Sequence, residues 1–298
     1  MEQDLEATER KQVLAFSSSK DIVNQALKNT IYNTNSFPNN AVSSGFHKLD
    51  QKTSGFKNAE LTAIAVRPGM GKTSFLLSLI NNIAIKQRRS VAVFSYERSA
   101  GKIIQRLIET ETGVSLNKIR DGKLKDSEKD HAQTMVDNIS NADININDEP
   151  NPTVENVVQY SRELTAQQKP EIIFIDYLEM LAANIQEPET RKEECAHILD
   201  ELRNMAKELN IPVVVFSQIS RTNSPHRPSI NDIGEILKEK AHNLLFLHRN
   251  DNTEAINLDL PMGHTELIIA RDSYCEKPGK INIKFIDSID KFVNMEVD

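Results

Sequence analysis

The chain has 298 residues, 39% hydrophobic and 27% charged, an ordinary globular composition with length for one large α/β domain or two small ones. Its formal net charge of −7 excludes a broad basic face, so any contact with DNA must be focused, as on loops lining a channel. The two cysteines, Cys195 and Cys275, exclude a disulfide scaffold; no apolar run reaches membrane-span length, and the acidic Met1–Glu6 stretch lacks the apolar core of a secretory signal, so a cytoplasmic protein without membrane association is expected.

In chain order, residues 1–42 read as an arm. Ile22, Val23, Ala26, Leu27, Thr30 and Ile31 share one side of a helix that follows Ser19, and residues 33–40 have linker composition. The pattern alone leaves two readings open: the helix folds back on its own core, or it docks on a neighbouring subunit. From residue 43 onward a single domain is expected. Leu61–Val66 reads as an apolar strand and is followed by a helix over about Lys72–Lys86. A strand at Ser90–Ser95 and a helix near Ala100–Glu111 come next. Residues 113–142 are polar, helical and peripheral, and Ile144–Asn147 is a brief strand. Pro152 opens a helix that runs to about Gln168. Ile172–Asp176 is a strong strand, Lys192–Leu209 a long helix and Val213–Ser217 another strand. Leu244–Leu247, Leu267–Ala270 and Lys280–Ile286 extend the sheet. Apolar strands alternating with helices predict an α/β fold, with a mainly parallel central sheet covered by helices on both faces.

The sharpest local signal is Arg67-Pro68-Gly69-Met70-Gly71-Lys72-Thr73-Ser74, placed between a predicted strand and a predicted helix as a P-loop must be. Gly69 and Gly71 let backbone amides turn inward around phosphate oxygens, and the helix N-terminus adds a favourable dipole. Lys72 can reach the β- and γ-phosphates of ATP, and the Thr73 hydroxyl can ligate Mg²⁺. The motif's leading glycine is Val66 here, and the bland alternative is a glycine-rich turn with a chance Gly-Lys-Thr.

Three polar residues strengthen the case, each at a predicted strand's C-terminal end, where open α/β sheets bind ligands. Asp176 closes an apolar strand in the Walker B manner and would hold the hydration shell of the metal. Glu97 is placed to deprotonate the water that attacks the γ-phosphate. Gln218 is placed to sense that phosphate. Singly, each is an ordinary loop-starting or strand-capping residue; with the P-loop they form a constellation.

These stretches together resemble the motor domain of DnaB-type helicases. Ser44-Gly45-Phe46-His47-Lys48-Leu49-Asp50 and Thr53-Ser54-Gly55-Phe56 are similar to the family's opening segment. Its P-loop also lacks the leading glycine and carries Arg-Pro. Phe94-Ser95-Tyr96-Glu97, Ile175-Asp176-Tyr177-Leu178, Ala206–Val214 and Ser217-Gln218-Ile219-Ser220-Arg221 are similar to the catalytic-glutamate strand, the Walker B strand and the polar-sensor region. The resemblance covers roughly residues 43–293. It implies a RecA-like P-loop NTPase fold and a homohexameric ring that hydrolyses ATP with Mg²⁺ at subunit interfaces. The ring would move along single-stranded DNA during replication and work with other replication proteins. The helix over residues 19–33 then looks like the linker helix that packs on the adjacent subunit, whereas the family's N-terminal domain finds no counterpart here.

Two departures stand out. The family carries Lys-x-Arg near the end of a late strand, reaching into the neighbour's ATP site. Here Arg271 matches the lysine and Ser273 replaces the arginine; such a finger is worth about 10³–10⁵ in rate. The second DNA-facing loop is shorter here, and Lys238, Lys240 and His242 stand at acidic positions. They form either a solvated helix face or an altered phosphate contact. Function thus has two readings: an ATP-dependent DNA helicase or single-strand translocase, or a degenerate ring ATPase that loads or regulates another replication protein with little turnover. A small-molecule P-loop kinase is disfavoured because nothing supplies a lid or an acceptor pocket.

Overall fold

The computed structural model describes residues 40–115, 117–118, 121, 126–185, 190–219, 227–249, 264–273 and 278–295. The chain divides into two compact units, Met1–Asn39 and Asn40–Asp298. The first, with the expected helix over residues 19–33, lies outside the described residues. The second begins at Asn40 rather than residue 43, because Ala41–Val42 (β1) pairs antiparallel with Phe56–Lys57 (β2) and both strands are buried.

Helix α1 (His47–Thr53) lies between these strands. The Asp50 carboxylate folds the segment before it, accepting from Ser44 N at 2.9 Å, Gly45 N at 3.1 Å and the Ser43 and Ser44 hydroxyls at 2.7 and 2.8 Å. Burial pushes the Asp50 carboxyl above its ordinary range, and these four bonds oppose the shift.

Among the described residues the main sheet has nine strands in the order β11-β10-β9-β8-β3-β7-β6-β4-β5. They are β3 (Leu61–Val66), β4 (Val91–Ser95), β5 (Ile144–Asn147), β6 (Ile172–Asp176), β7 (Val213–Gln218), β8 (Asn243–Arg249), β9 (His264–Arg271), β10 (Gly279–Ile286) and β11 (Lys291–Asn294). From β8 to β5 every pairing is parallel, whereas β8-β9, β9-β10 and β10-β11 are antiparallel. The mainly parallel expectation therefore holds from β8 to β5, and an antiparallel extension completes the sheet. In β3, Leu61, Ala63 and Ala65 join one buried layer while Ile64 and Val66 join the other. This alternation in a fully buried strand shows how the sheet is buried on both faces.

Helices α2 (Lys72–Ile80), α3 (Ala100–Thr112), α4 (Asp126–Ser140), α5 (Val154–Gln167), α6 (Arg191–Leu209) and α7 (Glu235–Lys240) connect the strands. The helix expected over Lys72–Lys86 changes to π-helical geometry at Asn81–Lys86. Thr153, not Pro152, starts α5: its side chain caps Asn156 N at 3.3 Å, and Pro152 lies outside the helix. Thr190 likewise caps α6 through Glu193 N, two glutamates sit in its first turn, and Asn210 ends it in a left-handed conformation at φ 53°.

β11 was not expected from the sequence. Phe292 is 2% exposed and meets Phe75 of α2 edge-on at 5.6 Å and Phe285 of β10 at 4.6 Å. Asn294 accepts from His47 N at 3.0 Å and donates to Gly45 O at 2.8 Å, tying this strand to the segment around α1. Phe292→Ala should cost about 3–5 kcal/mol of stability, the usual penalty for a large aromatic cavity. Denaturant unfolding measures it, and a loss within 1 kcal/mol, roughly that of a surface change, would remove β11 from the core.

Candidate nucleotide-binding site

Strand register creates the site. Val66 of β3 pairs with Gln218 of β7, and Ser95 of β4 pairs with Asp176 of β6, so these strands end near one edge. The chain leaves β3 for β4, which lies beyond β7 and β6, making the crevice typical of a topological switch point.

The P-loop turns out of β3 through two left-handed glycines, Gly69 at φ 84° and Gly71 at φ 92°. A Cβ at Gly71 would meet the Phe292 ring at 2.9 Å, so both backbone conformation and space require glycine there. Gly71 is also the N-cap of α2, so the first-turn amides of the helix face the cleft. The cleft has a volume of about 280 Å³ and is lined by Gly69, Lys72, Thr73, Glu97, Arg106 and Gln218, among others.

Lys72 is the electrostatic centre. Its Nζ lies 2.5 Å from Glu97 Oε2 and 2.6 Å from Asp176 Oδ1, and 3.7 Å from the centre of the Tyr177 ring. Asp176 is fully buried, and that burial raises its carboxyl pKa, while the Lys72 charge pulls it down. Asp176 Oδ2 is buried with no hydrogen-bond partner. An acceptor in that condition, near the cleft that Thr73 lines from the first turn of α2, fits a hydrated divalent cation. Among the described residues no cluster of three or more His, Cys, Asp or Glu could hold a metal alone. A cation here therefore needs phosphate oxygens to complete its shell, as Mg²⁺ does with ATP.

The other expected residues fall into place less uniformly. Gln218 is exposed and lines the cleft. Arg67 lines it too but is buried, with Nη2 3.4 Å from Asp232. Pro68 lies on the rim, and Met70 packs against the core, so its contribution to the loop is its backbone. Ser74 is buried, and its hydroxyl donates to Asp290 Oδ1 at 2.6 Å. Arg106, which no motif marks, bonds to the other Asp290 oxygen and lines the cleft. Glu179 is likewise unmarked and takes hydrogen bonds at the end of β7.

Arg271 is far from this edge within its own chain. It pairs with Leu244, which is level with Ala63 in the middle of β3, whereas the P-loop follows the end of that strand. Its guanidinium donates to Ala241 O, and burial followed by the Arg203 charge lowers its pKa. Ser273 is held by Glu60, whose two oxygens lie 2.9 Å from its hydroxyl, and by Asn243 Oδ1 at 2.8 Å from its amide. Of the three late cations, Lys240 pairs with Asp200 at 2.8 Å and His242 Nδ1 accepts from Leu61 N at 3.0 Å. Burial lowers the His242 pKa, in keeping with the acceptor role of its Nδ1. Among the described residues no helix is long and apolar enough to cross a membrane.

The sheet order, the P-loop leaving its central strand and the carboxylates converging on its lysine define a RecA-like P-loop ATPase domain. Residues 41–294 match the model of the DnaB-like helicase C-terminal domain, and the chain belongs to that family. It is 32% identical over 300 residues to the replicative DNA helicase DnaB of Geobacillus stearothermophilus, an alignment covering 98% of this chain and 65% of that protein. The chain thus spans about two thirds of the length of that relative. Among solved structures, a DnaB-like replicative helicase described with its interactions with primase superposes with a TM-score of 0.81 at 27% identity, covering 99% of this chain and 71% of that one. A structure described as an ATPase domain gives 0.83 at 28%, covering 94% of this chain and all of that one.

Lys72→Ala should abolish most ATP binding, because it removes the phosphate-neutralising charge. Glu97→Gln should keep binding and stop hydrolysis, because an amide cannot take the proton of water. Nucleotide titration and phosphate release separate the two effects. Unchanged turnover in Glu97→Gln would remove that residue from the chemistry.

Proposed function

We propose that the chain is the motor of an ATP-dependent DNA helicase or single-strand translocase acting in replication in the cytoplasm, and that it works as a ring, with six copies as the expected number. The observation that carries this reading is the Lys72 ammonium held between Glu97 and Asp176 at the mouth of a P-loop. Those three groups are the parts that phosphoryl transfer to water needs: a phosphate-neutralising cation, a base and a metal-holding carboxylate.

In this mechanism the amides of Gly69 to Thr73 cradle the phosphates, and Lys72 leaves Glu97 to pair with the β- and γ-oxygens. Thr73 would hold Mg²⁺ directly and Asp176 would hold its hydration shell; the ion, when bound, would supply positive charge to neutralise those oxygens. Glu97, freed of its ion pair, accepts a proton from the attacking water. Gln218 reads the presence of the γ-phosphate from the adjacent strand end. Arg271 lies at the opposite end of the sheet, so it acts on the nucleotide of a neighbouring copy. DNA would be contacted by loops, since the net charge of −7 leaves no broad basic face.

A second reading has its own support. Ser273 stands where the family has its finger arginine and is tied to Glu60, while Arg271 is engaged with its own Ala241. Both features favour a weakly hydrolysing ring that loads or regulates another replication protein.

Steady-state ATPase assays with and without single-stranded DNA separate these readings. If Arg271 is the trans-acting cation, Arg271→Ala lowers turnover by about tenfold or more with little change in KM, as expected for a contact made chiefly in the transition state. Ser273→Arg raises turnover by restoring a planar, always-charged donor fork. DNA-independent turnover that neither substitution changes would make the regulatory reading the better one.

A further inference from the structure

Glu179 belongs to no motif, and its surroundings give it a role. It sits in the short 3₁₀ turn Leu178–Met180, directly after Asp176 and Tyr177. Although exposed to solvent, its carboxylate is engaged: Oε1 accepts from the Ser217 hydroxyl at 2.5 Å and from Gln218 N at 3.1 Å.

The reason lies in the sheet. β7 is flanked by β3 and β6, and its pairing with β6 stops at Val215 opposite Ile175. On the other side the ladder continues, with Ile219 N donating to Val66 O at 3.0 Å. Successive amides of a strand point to opposite neighbours, so Gln218 N faces the side where β6 has ended. An amide there needs an acceptor. Glu179, a few residues beyond that end, returns its side chain to supply one.

The turn that carries Glu179 is itself anchored. Arg191, the first residue of α6, donates from Nη2 to Glu179 O at 3.2 Å and to Leu181 O at 3.1 Å. Its Nη1 donates to Glu194 Oε2 at 2.6 Å, and Glu194 Oε1 accepts from Ala183 N at 3.0 Å. The Arg191 hydrogen bond holds the Glu194 carboxyl below its ordinary range. A continuous set of hydrogen bonds thus runs from Gln218, through Glu179 and Arg191, to the first turn of α6.

We infer that Glu179 is a positioning residue for the nucleotide sensor: it fixes the backbone of Gln218 so that the amide side chain reaches the γ-phosphate, and it couples that strand end to the start of α6. This rests on the sensor reading of Gln218. The carboxylate acts as a hydrogen-bond acceptor and takes no proton from substrate, so a neutral side chain with an oxygen in the same place should replace it. A glutamate that merely stabilised the fold would alter melting temperature and leave turnover and its response to DNA unchanged.

The test is steady-state ATPase activity of the full chain across ATP concentrations, with and without a thymidine oligonucleotide, alongside thermal melting. Glu179→Ala should lower kcat by about tenfold and weaken the response to the oligonucleotide, with KM for ATP within about twofold. Glu179→Gln should stay within about threefold of the parent, because an acceptor oxygen remains. Ser217→Ala, which removes one of the two donors, should fall between them, and it decides the matter if Glu179→Ala does not fold. Parental kcat in Glu179→Ala, or in Ser217→Ala when the first variant is unfolded, overturns the inference while an impaired Gln218→Ala keeps the sensor reading. A silent Gln218→Ala overturns the sensor reading and this inference with it.

Discussion

A strand buried on both faces can display a polar side chain only where it ends, and β3, β4, β6 and β7 obey that constraint together. Leu61–Val66 and Ile172–Ile175 lie almost wholly out of solvent, so a charge within them would be stranded. Asp176 is tolerated because Lys72 lies against it at 2.6 Å. That lysine is in turn placed by the reversal through Gly69 and Gly71. Removing the ammonium would leave a buried carboxylate without its ion-pair partner, one of the costlier changes a protein interior can suffer. Fold and site therefore share one electrostatic element: the Lys72 ammonium makes Asp176 compatible with the sheet, and under the proposed function it is also the charge offered to phosphate.

The antiparallel extension gives the same sheet a second working edge. Because β9 runs against β8, its C-terminal end emerges where the parallel strands begin. Ser273, Glu60 and Asn243 form a hydrogen-bond network there, while Arg271 donates to Ala241 O. In the proposed ring, two unlike edges of this kind fit head-to-tail association, in which each interface joins unlike edges.

Much of this was legible from residue order. Apolar runs such as Val213–Ser217 and Ile172–Asp176 can only be interior strands, and Gly69-Met70-Gly71-Lys72-Thr73 announces its turn by composition. What stayed hidden depends on tertiary partners. β11 is short and mixed, and only the contact of Phe292 with Phe75 and Phe285 makes it a strand of the core. Antiparallel pairing of β9 and β10 leaves no mark on periodicity, which is the same for either direction. Glu179 and Arg106 look like surface charges on a turn and a helix; their roles come from where β6 stops and where Asp290 reaches. His242, read as a cation by type, becomes an acceptor because its ring is drawn beneath Leu61 N.

The lining of the P-loop comes from the far end of the chain. Phe292 lies under Gly71, and Asp290 accepts from Ser74 while holding Arg106 at the cleft. During synthesis residues 66–74 leave the ribosome long before residues 290–292 exist, and until then the loop has no floor. A nascent chain therefore passes through a stage in which the Gly-Lys-Thr sequence is present but the pocket is not yet built. A nucleotide bound at this loop would therefore stabilise only states in which β11 has docked.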